Sequence, residues 1–147
     1  MVGLIMNREI KYRGMDIVNE WHFGLLSISQ GKKGQPEKGY YISNQSGNPW
    51  AYQIKPDTLS EYTGIDDKDN NDIYESDICR FYNSDSAFGF DYIALIEYQY
   101  GAFCIRRKID KGNDIFLLPL AILINSIIPC TIEIIGNKYQ NPVFFGG

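Results

Sequence analysis

Short segments in which apolar and polar residues alternate, each ended by glycine, proline or asparagine, recur along this chain of 147 residues. Residues 92–98 and 103–107, for example, flank Gly101 and have the pattern of a β-hairpin. The 11 tyrosines and 8 phenylalanines favour strands, and the 14 glycines can supply tight turns between them. The sequence therefore predicts a mostly β protein that is built from short strands.

The same pattern locates the other elements. Further strands are predicted over residues 9–13, with Ile10 and Tyr12 facing inward, and over 21–28, 40–43, 50–54, 78–82 and 131–135. Thr58 and Glu61 fit a capping box before a short helical turn that Gly64 would end. Pro119 fits the first turn of a helix that ends near Ser126, so residues 115–135 are interpreted as a buried helix and then a buried strand.

These elements favour a small β-barrel, closed or partly open, over residues 56–142. An SH3-like barrel is the first choice, because about five or six short strands and a helical turn fit that length. Residues 1–55 are expected to form an additional N-terminal β segment, packed on the barrel or on another subunit. The predicted domains are therefore 1–55 and 56–147, or one compact unit that contains both.

Charge and cysteine content limit the class of protein. The 14 basic and 18 acidic residues give a net charge of −4, which weakens the case for a protein that coats nucleic acid. A hydrophobic content of 44% is enough for a packed core and excludes wholesale disorder. Cys79, Cys104 and Cys130 are an odd number without a CxxC pair, which favours a reducing compartment over a disulfide scaffold.

No targeting or membrane segment is expected. The first residues, MVGLIM, lack the basic region and the cleavage site of a secretory signal. The longest apolar stretch, residues 115–135, contains Pro119, Pro129 and Glu133, which disfavour a lipid-spanning helix. The expected location is the cytoplasm.

The acidic run after Gly64 is the first candidate for a metal site. An EF-hand loop that began at Asp67 would place oxygen ligands at Asp67, Asp69 and Asn71, which are present. It would also need glycine at the sixth position and glutamate at the twelfth, where the chain has Asp72 and Ile78. We interpret the run as a solvated β-turn and expect no metal to be required.

The remaining candidates do not complete a catalytic set. His22, the one histidine, lies between Trp21 and Phe23 on a predicted strand and is interpreted as structural or surface-exposed. The three cysteines lie beside apolar residues and are expected to be buried and inert. Phosphate-binding glycine motifs are absent, and the basic groups near Arg13 and Arg107 are interpreted as outward strand charges. The sequence therefore predicts no catalytic residue, no cofactor and no enzymatic activity.

Three segments in order along the chain resemble one family. Residues 8–13 (REIKYR) resemble the opening of the YopX family, small proteins common in phages and prophages, and residues 133–142 (EIIGNKYQNP) are similar to its closing motif. Residues 61–78 resemble its YTG…IYEGDI motif, with Ser76 in place of the glycine. Serine takes a positive φ only at a cost, so this turn is expected to differ locally. The resemblance implies a mostly β phage-type protein and supplies no catalytic residues.

Two functions from different classes are compatible with these residues. The first is a noncatalytic module that binds a protein partner or further copies of itself, for which exposed tyrosine and tryptophan are suitable anchors. The alternative is a nucleic-acid-binding accessory protein, which a continuous basic groove lined by tyrosine or tryptophan would favour. Self-association into a homo-oligomer is expected, because residues 1–55 and the apolar tail 139–145 have little chain to cover them.

The motif over residues 61–78 makes a first testable prediction. We expect Tyr74 and Ile78 to be core positions, so Tyr74→Ala and Ile78→Ala should each lower the free energy of unfolding by about 2–5 kcal/mol. Asp69→Ala, in the turn, should cost less than about 1 kcal/mol. Chemical denaturation measures all three variants, and equal losses at the three positions would contradict the assignment of Tyr74 and Ile78 to the core.

Overall fold

Strands dominate the computed structural model, which describes residues 8–85, 87, 89–108 and 115–145. The described residues form twelve β-strands, one α-helix and two short 3-10 turns. In the first part of the chain the strands are β1 (Tyr12–Met15), β2 (Trp21–Gly24), β3 (Leu26–Ser29), β4 (Gly39–Ile42), β5 (Tyr52–Ile54) and β6 (Ser60–Asp66). They are followed by β7 (Asp72–Tyr74), β8 (Asp77–Asn83), β9 (Phe90–Gln99), β10 (Ala102–Lys108), β11 (Ile115–Pro119) and β12 (Thr131–Asn137). Helix α1 (Leu120–Ile124) precedes β12, and the 3-10 turns are Pro56–Thr58 and Pro142–Phe145.

The strands form three antiparallel sheets, which confirms the mostly β prediction. The chain divides into two compact units, Met1–Gly64 and Ile65–Gly147. In the first unit, β1 lies between β2 and β6, and a separate sheet has the order β3-β4-β5. The second unit contains the five-stranded sheet β11-β10-β9-β8-β12.

The described strands form no closed barrel, because the five-stranded sheet of the C-terminal unit is open. Closure would require β11 to pair with β12, but the outer edge of β12 is occupied by the turn that follows β6. The Lys68 amide donates to the carbonyl of Ile132 at 2.9 Å, and the Ile134 amide donates to the Asp67 carboxylate at 3.2 Å. An edge that is covered in this way cannot accept another strand.

Two glycines allow close packing within the N-terminal unit. A Cβ atom at Gly14 on β1 would clash with the side chain of Ile54 on β5. A Cβ atom at Gly24 would lie 2.6 Å from the carbonyl oxygen of Ser43. β2 ends at Gly24, where the backbone of Ser43 lies close, and β3 begins at Leu26. The single strand predicted over residues 21–28 is therefore two strands that belong to different sheets.

Two predictions within this unit are wrong, one near its start and one near its end. The first strand is β1 and not residues 9–13, and Ile10 is 57% exposed instead of facing inward. Thr58 does not cap a helix. Its hydroxyl accepts a hydrogen bond from the Met15 amide at 2.9 Å and donates one to the Lys55 carbonyl at 2.7 Å. Residues 60–66 then extend as β6 beside β1, because Tyr12 pairs with Glu61.

The predicted hairpins are confirmed in both units. β4 and β5 pair across the loop at residues 43–51, and β9 and β10 pair across Tyr100 and Gly101. The strands predicted over 78–82 and 131–135 are β8 and β12. The loop over residues 30–38 separates β3 from β4.

The core of the C-terminal unit lies on one face of the five-stranded sheet. Its buried members are Ile73, Cys79, Phe81, Ala94, Ile96, Ile105, Leu120 and Ile132. The helix predicted from Pro119 is confirmed in type but begins at Leu120, after the strand β11, which the sequence did not predict. Only Leu120 of this helix is buried, and Ile122 and Ile124 are exposed, so the prediction of a buried helix is wrong.

The turn between β7 and β8 shows how the family motif folds. Tyr74 and Ile78 are buried, as predicted, and the Tyr74 amide donates to the Asp77 carboxylate at 2.8 Å. Ser76 adopts a φ of 75°, which was not expected of a serine. Its amide donates to the Ile96 carbonyl at 2.7 Å, and its carbonyl accepts from the Lys138 amide at 3.0 Å. These bonds hold the turn in a conformation that glycine would adopt without strain.

Glycine at this turn should therefore stabilise the protein. Ser76→Gly is expected to raise the free energy of unfolding by about 1 kcal/mol, because it removes the cost of a left-handed side-chain residue. The matched control Ser76→Ala keeps that cost and loses the hydroxyl, so it should give no gain. Urea denaturation measures both variants, and a glycine variant no more stable than the alanine variant would show that the turn is unstrained.

Candidate functional site

The single histidine is held at the start of the N-terminal unit. His22, on β2, makes a hydrogen bond through Nε2 to the Asp16 carboxylate at 2.8 Å. Its ring stacks on that of Tyr52 from β5, with centroids 3.9 Å apart and planes inclined by 14°. The imidazole is thus fixed in orientation by a carboxylate on one side and an aromatic ring on the other. These contacts agree with the structural interpretation of His22.

Asp16 organises the turn that joins β1 to β2. Its Oδ1 atom accepts hydrogen bonds from the amides of Val18 at 2.9 Å and Glu20 at 3.0 Å. The hydrogen bond with His22 and the amide of Glu20 hold the pKa of Asp16 below its usual value. The turn also places Asn19 at a φ of 66°, a conformation that asparagine tolerates. The side chain of Asp16 therefore sets both the turn and the position of the imidazole.

Asp16, Glu20 and His22 form a group of potential metal ligands. Their ligand atoms all lie within 4.8 Å of one another. Nitrogen and carboxylate ligands of this kind suit zinc. In this arrangement, however, Nε2 of His22 and Oδ2 of Asp16 bond to each other, and Oδ1 of Asp16 accepts two amides. A metal ion would have to replace hydrogen bonds that the turn already uses.

An open cleft of about 460 Å³ lies beside His22. It is lined by Trp21, His22 and Phe23 from β2, by residues 44–46 of the β4–β5 loop, and by Tyr52. The loop is fixed by the Asn44 side chain, whose carbonyl accepts from the Asn48 amide at 3.0 Å. The lining therefore combines aromatic side chains with amide and hydroxyl groups. The lining contains no lysine, arginine or carboxylate among the residues that the structure describes.

The outer edge of β3 is a second feature of this unit. The Ser43 amide donates to the Leu25 carbonyl at 3.0 Å, and β3 pairs with β4 in the same register. Because hydrogen-bonded positions alternate in an antiparallel pair, the backbone groups of Leu26 and Ile28 point away from β4. Neither residue has another hydrogen-bond partner in the described part of the chain. β3 thus presents an open strand edge.

The acidic run, by contrast, has a structural role. Asp67 is buried, and its carboxylate accepts hydrogen bonds from the amides of Asp69, Asn71 and Ile134 at 2.9, 3.0 and 3.2 Å. Burial by itself would raise the pKa of Asp67, but these hydrogen bonds together hold it below the usual value. Asn70 takes the positive φ of the turn, at 63°. The run is a β-turn, as predicted, that also covers the edge of β12.

The other predicted site residues are distributed through both units. All three cysteines are free: Cys79 and Cys104 are buried, as predicted, whereas Cys130 is only half-buried, and burial raises the pKa of its thiol. Several of the described basic side chains pair with carboxylates: Arg8 with Glu61 at 3.1 Å, Arg80 with Asp91 at 2.8 Å, and Arg106 with Glu97 at 2.7 Å. The guanidinium of Arg107 lies 4.1 Å from the ring centre of Tyr92. The side chain of Lys108 lies outside the described residues.

Sequence reasoning missed three parts of this region. Asp16 and Tyr52 were not singled out, although an aspartate before Ile17-Val18-Asn19 at the end of a strand is a recognisable turn signal. The open edge of β3 could not be found from the sequence, because it depends on which strands become neighbours.

The fold defines the class of this protein, which is a small, mostly β protein. It contains antiparallel sheets with hairpin connections and a motif turn at residues 66–78. Residues 11–145 match the family model described as YopX protein. The chain belongs to the YopX family. No curated protein matches the sequence.

In residues 8–85, 87, 89–108 and 115–145, no helix has the length and hydropathy that are needed to cross a bilayer.

The prediction that no metal is required, made for the acidic run, also applies to the group formed by Asp16, Glu20 and His22. Calorimetric titration with calcium and with zinc is expected to give no stoichiometric heat at micromolar concentrations, since both candidate sets are used by internal hydrogen bonds. A one-to-one isotherm that disappears in His22→Gln would contradict the prediction and place the ion at Asp16, Glu20 and His22. An isotherm that survives in His22→Gln but not in Asp67→Asn would place it at the acidic run.

Proposed function

We propose that this YopX-family protein is an interaction module without catalytic activity of its own, and that it associates with a second copy along the edge of β3. The observation that carries the proposal is the row of outward backbone groups at Leu26 and Ile28. An open strand edge is a template for pairing with another strand, and proteins usually cover or pair such edges.

The edge of β3 is complementary to itself. If two copies are related by a two-fold axis at Ser27, Leu26 of one copy faces Ile28 of the other, and each facing pair can exchange two hydrogen bonds. Such an arrangement makes about four backbone hydrogen bonds, each contributing about 1 kcal/mol. The side chains of Leu26 and Ile28 lie on the same face of β3, so they would form apolar cross-strand pairs.

Exposed apolar side chains support the same surface. Ile28 is 49% exposed and Leu25 is 57% exposed, so pairing would remove apolar area from water at the edge itself. The apolar tail that suggested an oligomer from the sequence includes the exposed Val143, whereas residues 146 and 147 and the side chains of 144 and 145 lie outside the described part.

Charge gives less support to the nucleic-acid alternative. Arg8, Arg80 and Arg106 are each neutralised by a carboxylate, and the aromatic cleft at His22 has no lysine or arginine in its described lining. A sequence-independent nucleic-acid site needs unpaired basic groups along the phosphate backbone. The resemblance to phage and prophage proteins, together with three free cysteines, supports a location in the cytoplasm of a host bacterium.

The oligomeric state tests the proposal. Size exclusion with light scattering should give a concentration-dependent mass that approaches twice 16.8 kDa at micromolar to millimolar concentration. Ile28→Pro should shift this equilibrium to the monomer, because proline removes an outward amide that β3 does not use for pairing with β4. Ile28→Lys should do the same, because it places a charge opposite Leu26 of the second copy while it leaves the backbone intact.

The matched control is Ile17→Lys, the same substitution at a residue that is 87% exposed in the β1–β2 turn. It should leave the dimer unchanged. A wild-type mass near 16.8 kDa at every concentration would overturn the proposal. A dimer that Ile17→Lys weakens as much as Ile28→Lys would also overturn it, since the contact would then not be the edge of β3.

A further inference from the structure

We infer that the cleft beside His22 is a binding site for a neutral carbohydrate, whose ring packs on the aromatic side chains while its hydroxyls bond to the β4–β5 loop. The site is separate from the backbone groups of β3 on which the proposed dimer depends. Its volume of about 460 Å³ lies within the range of roughly 300–1,000 Å³ that is usual for small-molecule sites, which leaves room for one or two sugar units.

Aromatic side chains make up part of the wall of the cleft. Phe23 is 55% exposed and Tyr52 is 38% exposed. Large aromatic side chains are more often buried than this, so their exposure beside a cleft is informative. Tyr52 is held in place by its stack on His22, and His22 is held in turn by Asp16. A sugar ring presents C–H bonds on its two faces, and these faces pack on aromatic rings. The wall is therefore preformed for such a ligand, which lowers the entropy lost on binding.

Polar groups that bond to no other described residue also line the cleft. The Gln45 amide and the Ser46 hydroxyl make no hydrogen bond to another described residue, and neither does the hydroxyl of Tyr52. Amides and hydroxyls both donate and accept, as sugar hydroxyls do. Because the Asn44 side chain fixes the backbone of this loop, Gln45 and Ser46 project from a defined turn.

The described lining of the cleft offers no cationic side chain to a phosphorylated or anionic ligand, and the nearby guanidinium of Arg13 is buried, 4.3 Å from the ring centre of Trp21. Lysine and arginine are absent from its described lining, and the carboxylates of Asp16 and Glu20 lie beside His22. Nucleotides need cationic or amide-rich sites for their phosphates. A neutral ring with several hydroxyls can contact both the aromatic and the polar lining residues without bringing a charge near these carboxylates.

Nuclear magnetic resonance of the full chain tests the inference, with maltose and N-acetylglucosamine as probes and adenosine monophosphate as the anionic comparison. At least one sugar is expected to shift the resonances of the Trp21 indole and the Gln45 side-chain amide saturably, with a Kd of about 1 mM. Gln45→Ala and Phe23→Ala should each weaken binding about tenfold, and Gln45 is an exposed loop residue whose loss should leave the fold intact.

Matched controls are Gln30→Ala and Tyr100→Ala, exposed residues of comparable type outside the cleft, which should leave the affinity unchanged. Ile28→Lys should also bind sugar normally, so failure of the proposed dimer does not affect this test. The inference is overturned if neither sugar gives a saturable shift, if the nucleotide binds at the cleft more tightly than either sugar, or if Gln30→Ala weakens binding as much as Gln45→Ala.

Discussion

The carboxylate of Asp67 determines the form of the C-terminal unit. One buried side chain closes a tight turn through the amides of Asp69 and Asn71 and bonds to the amide of Ile134 on a distant strand. A buried carboxylate is stable when several amides satisfy its oxygen atoms, and this one has three. The bond to Ile134 fastens the turn across the edge of β12. The sheet therefore remains open, and its core is completed by β7 and α1 on one face.

The strand edges of β12 and β3 are treated in opposite ways. At β12, side-chain and backbone groups of a neighbouring turn occupy the outward hydrogen-bonding positions. At β3, two residues present these positions without a described partner. The edge of β3 is only four residues long, and short edges limit uncontrolled pairing. The protein thus protects one edge with a hydrogen-bonded turn and leaves the other accessible to association.

Local chemistry explains which elements could be predicted. The hairpins at β4–β5 and β9–β10 are formed by turn residues between alternating strands, so nearby residues decide them. The burial of Tyr74 and Ile78 follows from the same alternation around a polar turn. Distant contacts explain the errors. The sequence pattern predicts that Thr58 caps a helix. In the structure its hydroxyl instead accepts a hydrogen bond from the amide of Met15, which is 43 residues earlier.

The candidate site was less predictable than the fold for a related reason. His22 was recognised, but its orientation depends on a turn at Asp16 and on a stack with Tyr52 from another sheet. Likewise, the break between β2 and β3 arises because Gly24 meets the carbonyl of Ser43, a contact between segments that are far apart in the chain. Periodicity describes which side of a strand faces the core, but it does not say which strands become neighbours.

The two-fold symmetry available to β3 has a consequence for the size of any assembly. When two identical edges pair antiparallel, each copy uses the edge that the other copy uses, so the contact closes on itself. No equivalent edge of β3 remains for a third chain, and growth into a filament through this contact stops at two. Association of this kind is self-limiting by geometry, and it does not require a strongly charged edge to prevent polymerisation.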